Sequence, residues 1–296
     1  MKKSVSMLLA ALMLTGALAG CGSSASTSDS QAADGGVSGA ITVISREDGS
    51  GTRGAFIELT GVEEKTADGK KVDNTTADAE IANKTDVVLT SVAGNEKAIG
   101  YISLGALNDT VKAVKVDGAE ATVDNVKAGA YKLSRPFNIA TKGEPTGVAK
   151  DFISFILSKE GQAVVTDNKY IAVNDAAESF VSDGSSGQIA VGGSSSVSPV
   201  MEKLIEAYKS VNPNASIDLQ TSDSTSGMTG AMDGTFAIGM ASRELKDEEA
   251  AQLTGTAIAL DGIAVIVNPA NTIDELSMDQ IKSIYVGDIT DWGDLA

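Results

Sequence analysis

The chain has 296 residues, with 31 glycines, one cysteine, no histidine, and 23 Lys and Arg against 40 Asp and Glu, a formal net charge of −17. Without histidine there is no Ser-His-Asp triad, Cys-His pair or His-bearing zinc site, and a single thiol builds neither a four-cysteine site nor an internal disulfide. So acidic a chain, with only 1 Trp, 5 Tyr and 6 Phe, repels nucleic-acid phosphates and offers little surface for base stacking, while its length suggests two domains.

At the N-terminus Lys2-Lys3 precedes an apolar run from Met7 to Ala19, and Leu18-Ala19-Gly20 stands directly before Cys21. A basic start, a short apolar stretch and small residues at the cut describe a secretory signal over 1–20, too short for a comfortable membrane span. The Leu-Ala-Gly-Cys ending resembles the bacterial lipoprotein signal. That resemblance implies a lipidated Cys21 as mature N-terminus and membrane tether; the plainer alternative is an ordinary signal peptide with a free thiol. Loss of 1–20 removes two lysines and no acid, leaving −19. Residues 21–39, rich in Ser, Ala, Gly and Asp, read as a flexible linker.

Along the body, short β-rich runs alternate with helical patterns, which predicts an α/β protein with mostly parallel sheets. Ile41–Ser45 is a predicted strand, and Gly54–Leu59 a helix. Ala98–Ser103 is a second strand, and Val148, Phe152, Phe155 and Ile156 mark an amphipathic helix after Pro145. Gln188–Val191 is a strand ahead of the clearest helix, with Val197, Val200, Met201, Leu204, Ile205 and Tyr208 on one face. Ile217–Leu219 precedes a short helix around Met228 and Met232, and Ala257–Leu260 and Gly262–Asn268 are buried strands.

Three times a hydroxyl-rich loop of small residues stands between a strand and a helix: Asp48–Thr52, Gly193–Val197 and Asp223–Gly227. The first N–H groups of a helix lack intrahelical partners and its dipole end is positive, so such a loop suits an oxyanion. Each taken alone is also the grammar of a plain N-cap. Three together, with Arg46 closing its strand just before the first, point to an anion site. None is a nucleotide loop: the Gly-x-x-x-x-Gly-Lys-Ser/Thr pattern and the Rossmann fingerprint are both missing.

Arg46-Glu-Asp-Gly-Ser-Gly-Thr-Arg53, Ile99–Gly105, Gly193-Ser-Ser-Ser-Val-Ser-Pro199, Gly239-Met-Ala-Ser-Arg243, Asp261–Asn268 and Gly287-Asp-Ile-Thr-Asp-Trp292 resemble the motifs of the phosphate-binding lipoprotein family of the high-affinity phosphate ABC transporter. The resemblance spans nearly all of 40–296. It implies a two-lobed type II periplasmic-binding-protein fold, a non-catalytic monomer without cofactor or metal, and inorganic phosphate, a membrane permease and the lipid bilayer as partners. In the family's order the Ser loop comes first and the Ile-Thr-Asp-Trp segment leads into the Arg loop. Here the Arg loop comes first, which implies a circular permutant whose original ends are fused through Val181–Gly187; a truncated tandem is the competing account. By analogy, lobe A is 40–105 plus 263–296 and lobe B 106–262, with crossings near Leu104-Gly105 and Asp261-Gly262.

Carried over residue by residue, the family's ligands are Arg46, Ser50, the Gly51 N–H and Thr52 from one loop, Ser196 and the Val197 N–H from another, and Ser224 from the third. Ser195 and Gly227 stand beside them as supporting positions. Asp48 is expected to orient Arg46. Some members place an acidic acceptor where this chain has Arg243, so Asp48 and Asp223 are the candidates for accepting a phosphate proton, a means of rejecting sulfate. The alternative reading is a receptor for sulfate, molybdate or tungstate, or a phosphate sensor.

Overall fold

The computed structural model describes residues 37–295, so the signal segment and Cys21 lie outside the described residues. In chain order, β1 (Thr42–Arg46) runs into α1 (Gly51–Thr60), and α2 (Thr85–Ala93) returns to β2 (Ala98–Ser103). The strand β3 (Ser134–Thr141) precedes α3 (Gly147–Leu157) and α4 (Lys159–Asp167). Then follow β4 (Gly187–Ser194), α5 (Ser198–Val211), β5 (Ala215–Ser222), α6 (Ser224–Asp233), β6 (Ile238–Ala241), β7 (Thr254–Val267) and α7 (Met278–Val286). One sheet takes the order β5-β4-β6-β3-β7-β2-β1, with the short strand Glu80–Ala82 beyond β1. Its outer pairs are parallel, β5 on β4 on β6 at one end and β2 on β1 at the other. The central strands β3 and β7 run antiparallel to each other and to their outer neighbours.

Both glycine-loop helices start earlier than periodicity predicts. α1 begins at Gly51 because Ser50 caps it, the Ser50 hydroxyl accepting from Arg53 N at 3.3 Å. α6 begins at Ser224 because Asp223 Oδ1 accepts from Ser226 N at 2.9 Å. In both, the first turn is built from small polar residues that carry no apolar period, so the cap rather than the stripe sets the boundary. The loops are thus the first turns of the helices themselves.

The two strands expected over 257–268 are a single one. Asp261 and Gly262 continue the ladder opposite Arg135 and Ser134, and from Ile263 onward β7 pairs with β2. One strand therefore belongs to two hydrophobic cores. The first gathers Phe56, Ile99, Tyr101, Ile102, Val265, Ile284, Tyr285 and Trp292. The second gathers Phe137, Phe152, Phe155, Ile156, Met201, Leu204, Tyr208 and Ile258.

The division between them differs from the sequence expectation. Val111, Val114, Val116, Val126, Tyr131 and Leu133 all bury in the first core, so the chain first crosses near Leu133-Ser134 rather than at Leu104-Gly105. The Tyr131 hydroxyl locks this segment down by donating to Ile263 O at 2.8 Å. Residues 106–133 are short strands and one helical turn, too brief for periodicity to assign to either side.

The two ends of the described chain lie together. Ile41 N donates to Thr290 O at 2.8 Å, Trp292 N to Gly39 O at 3.1 Å, and Ala40 bridges Asp291 in antiparallel fashion. The Trp292 indole N–H donates to Lys97 O at 3.0 Å, tying this seam to the end of β2.

Candidate anion-binding site

The site forms where β1, α1 and α2 of the first core meet β4 and β6 of the second and α6, whose Met228 and Ala231 bury in a smaller third cluster. Arg46 ends β1, its strand held by Tyr101, whose hydroxyl accepts from Arg46 N at 3.1 Å and pairs with Ser45 Oγ at 2.9 Å. The guanidinium is 2% exposed. It forks onto Glu47, with Nε and Nη2 each 2.8 Å from a carboxylate oxygen. The Nε–H is shared with Ala82 O at 3.2 Å, Nη1 reaches Thr85 Oγ1, and Nη2 also donates to Ser195 Oγ at 3.1 Å.

Hydroxyls from both sides fill the space beyond. Thr52 Oγ1 lies 2.8 Å from Ser196 Oγ and 3.3 Å from Ser242 Oγ. Ser196 Oγ is 3.3 Å from Thr85 Oγ1, and Ser194 Oγ donates to Ser242 Oγ at 3.0 Å. Ser224 is fully buried at the start of α6, where its hydroxyl accepts from Ser242 N at 3.1 Å. A hydroxyl both donates and accepts, so this cluster is able to satisfy an oxyanion whether or not one of its oxygens carries a proton.

The loops close on one another. Thr225 donates to Gly49 O through both its N–H and its hydroxyl, at 3.1 and 3.2 Å. A Cβ on Gly51 would lie within contact distance of Ser224 Oγ and 2.9 Å from Ser242 Oγ. Only a residue without a side chain lets the two faces approach this closely.

Of the expected ligands, the structure brings Arg46, Thr52, Ser196 and Ser224 together with the supporting Ser195, and Gly51 lies against them. Ser50 is buried beside them as the cap of α1. Three expectations change. The Val197 N–H is committed to Ser194 O at 3.0 Å, because Ser194–Val197 closes a turn before α5. Asp48 does not orient Arg46: its side chain is 98% exposed and pairs with Arg53 at 3.0 Å, while Glu47, one residue nearer the strand, folds back onto the guanidinium. Asp223 spends both carboxylate oxygens on Ser226, the second at 2.6 Å from the Ser226 hydroxyl, so it caps α6 rather than facing the cluster. Gly227 is a packing position, where a Cβ would meet Gly193 Cα and Met240 O at 2.7 Å.

Arg243 also turns away. Its guanidinium forks onto Glu249 at 2.7 and 2.8 Å. Burial pushes the Glu249 carboxyl up, but Arg243 and the Lys246 N–H outweigh it and leave the group below the usual range. The Arg243 stem packs toward Gly51 and Gly54 of α1, so this residue braces the contact between the two sides.

Thr85, Ser194, Ser242, Glu47 and Arg135 were not singled out from sequence. Ser242 sits inside the Gly239–Arg243 motif and was within reach of that signal; Thr85 and Arg135 come from a helix start and a strand with no motif around them. Arg135 opens β3 and donates from Nη2 to Thr52 Oγ1 at 3.1 Å, with Nε on Ser242 O at 3.0 Å and Nη1 3.0 Å from Asp261 Oδ2. Among the described residues no group of three or more His, Cys, Asp or Glu side chains is arranged to hold a metal ion, and no helix is long and apolar enough to cross a membrane.

Comparison with known proteins places this architecture. A family profile described as a PBP superfamily domain matches residues 14–160 and 179–296. The phosphate-binding protein PstS 2 of Streptococcus agalactiae serotype V is 50% identical over 297 residues, covering 99% of this chain and 98% of its own length. The protein of the same name from Streptococcus pneumoniae serotype 4 is 48% identical over 293 residues, 99% of each chain. A crystal structure of a phosphate-binding protein of a phosphate ABC transporter from Streptococcus pneumoniae, 50% identical, superposes with a TM-score of 0.70 over 87% of this chain and 100% of that one. With its two-cored α/β fold and near end-to-end identity to these relatives, the chain belongs to the PstS family of phosphate-binding proteins within the PBP superfamily.

Proposed function

We propose that this protein is the extracytoplasmic binding component of a phosphate ABC transporter, which captures inorganic phosphate between two lobes and hands it to the membrane permease without chemical change. The observation that carries this reading is the meeting of a buried Arg46 with hydroxyls from both sides of the molecule, Thr52 and Thr85 from one and Ser195, Ser196 and Ser242 from the other. The ligand set is Arg46, Ser50, the Gly51 N–H, Thr52, Ser196 and Ser224, supplemented by Ser195 and Ser242. Charge-assisted hydrogen bonds from such a set suit a small tetrahedral oxyanion, and closure of the Gly49–Thr225 contact excludes water around it.

Cys21 is the lipidated anchor and residues 21–39 the leash between membrane and body, in keeping with the Leu-Ala-Gly-Cys sequence. The motif order is a circular permutation. The seam between 39–41 and 290–292 supports it, since rejoining those ends restores the family order. The Streptococcus agalactiae relative aligns along 98% of its own length and 99% of this chain, so it shares the order found here.

Calorimetric titration of the mature chain with phosphate, sulfate, molybdate and tungstate tests the function. Tight, one-to-one binding of phosphate by a monomer is expected. Preference for another of these anions would transfer the protein to the alternative class of oxyanion receptor.

A further inference from the structure

We infer that Arg135 is a second guanidinium of the anion site, standing opposite Arg46 and binding the captured oxyanion directly. This rests on the phosphate-site reading above and extends it. Three hydroxyls link the two arginines in a continuous line: Arg46 Nη1 to Thr85 Oγ1 at 3.5 Å, Thr85 to Ser196 at 3.3 Å, Ser196 to Thr52 at 2.8 Å, and Thr52 to Arg135 Nη2 at 3.1 Å. The hydroxyl cluster thus lies between two buried cations, 2% and 3% exposed.

Glu47 compensates Arg46 through its bidentate pair, so the incompletely compensated cation is Arg135. Burial holds Arg135 below the ordinary guanidinium range; Asp261 and Tyr170 pull the other way, and the neighbouring Arg46 adds to the depression. Asp261 offsets this only in part. Its Oδ2 lies 3.0 Å from Arg135 Nη1, yet neither of its carboxylate oxygens makes a hydrogen bond among the described residues. Buried like charges repel strongly at low dielectric, and an oxyanion between them relieves both at once.

The geometry also divides the nitrogens of Arg135 by task. Nε is occupied by Ser242 O and Nη1 by Gly262 O and Asp261. Nη2 alone faces Thr52, whose hydroxyl sits at the centre of the cluster. Since β3 and β7 pair Arg135 directly with Asp261 where the chain crosses between cores, the guanidinium stands at the base of the site.

The test is calorimetric titration of the full mature chain with inorganic phosphate, comparing wild type, Arg46→Gln, Arg135→Gln, Arg135→Lys and the double variant Arg135→Gln/Asp261→Asn. The double variant removes both charges together and keeps the experiment informative if Arg135→Gln alone fails to fold. Expected are losses of at least tenfold for Arg135→Gln and for the double variant, with Arg135→Lys retaining part of the affinity. Wild-type affinity in the double variant, alongside lost binding in Arg46→Gln, would overturn the role of Arg135 and leave the phosphate site standing. Wild-type affinity in Arg46→Gln would overturn the site reading itself. In the wild-type protein, the guanidinium resonance assigned by its loss in Arg135→Lys should shift on addition of phosphate; an unmoved resonance also overturns the inference.

Discussion

Thr52 Oγ1 and Ser196 Oγ, 144 positions apart in the chain, lie 2.8 Å from each other at the seam between the two cores. Each stands in the first turn of a helix or the turn before it, and each belongs to a different core. Their meeting joins the small-residue loops of the two sides into one hydroxyl cluster.

Arg46→Ala is expected to weaken phosphate binding by about 2–5 kcal/mol, the range for truncating a buried, hydrogen-bonded charge partner. Ser50→Ala should cost less, because Ser50 acts first as the cap of α1; about 1 kcal/mol of stability accompanies its loss. Titration calorimetry and urea unfolding separate the two effects. Unchanged affinity in both variants would remove the Arg loop from the site.

Gly51→Ala places a methyl group against the Ser224 and Ser242 hydroxyls. Overpacking of this kind costs about 1–3 kcal/mol. Here it acts on closure, so phosphate affinity should fall while the unfolding midpoint without phosphate stays within a few degrees of wild type. An equal loss of stability with and without ligand would show that the glycine serves the fold alone.

Asp261 offers a signed pH dependence. Burial pushes its carboxyl up to about 6 against the lowering by Arg135, from an ordinary 3.8. The folded state therefore binds this proton more tightly than the unfolded chain does. That contribution is fully present below about pH 4 and is lost as pH rises through 6, amounting to about 3 kcal/mol. Urea unfolding of Asp261→Asn against wild type at pH 4 and pH 7 should show the variant gaining relative stability at the higher pH. A constant difference between the two would contradict the raised value.

Asp151, buried on α3, anchors the segment that joins the two motif sets. It accepts from Tyr208 Oη at 2.7 Å, Ser182 Oγ at 2.8 Å, Asp183 N at 2.9 Å and Asn212 Nδ2 at 3.1 Å. Burial raises its carboxyl, but these donors outweigh it and leave the group below the usual range. Asp151→Ala should destabilise the protein by about 2–4 kcal/mol and speed proteolysis within 181–187. The stabilisation lost by the variant should itself fade in wild type as pH falls below about 4. Wild-type protease resistance in Asp151→Ala would show that the anchor is dispensable.

Phosphate affinity should depend only weakly on ionic strength. With 40 acids against 23 basic residues, long-range attraction of an anion is absent, and the buried donors act within the range where salt screens little. A steep fall in affinity between low and high salt would count against a site of this kind.

Much of the site was legible in the chain itself. Arg46, Thr52, Ser196 and Ser224 of the candidate site stand in or beside loops whose glycines and hydroxyls are a local signature, legible a few residues at a time. Arg135 and Thr85 left none. Their place in the site comes from strand and helix pairings that bring distant segments together, and a lone arginine before a proline reads the same on a surface as beside a ligand. Glu47 and Asp48 show the limit at its finest. Two adjacent carboxylates are equivalent in sequence, and only the turn after β1 sends one onto Arg46 and the other into solvent.

Composition, loop grammar and motif order were enough to exclude histidine-based catalysis and to single out a candidate anion site, since each depends on residue identity or on positions a few residues apart. The boundary between cores, the unbroken path of β7 through Asp261-Gly262 and the pairing of Arg135 with Thr52 belong to the tertiary structure. They are settled by which apolar segments bury together and which strands share a ladder, and those choices are made between residues separated by a hundred positions or more. The same packing gathers buried arginines and hydroxyls inside a chain whose net charge is −17.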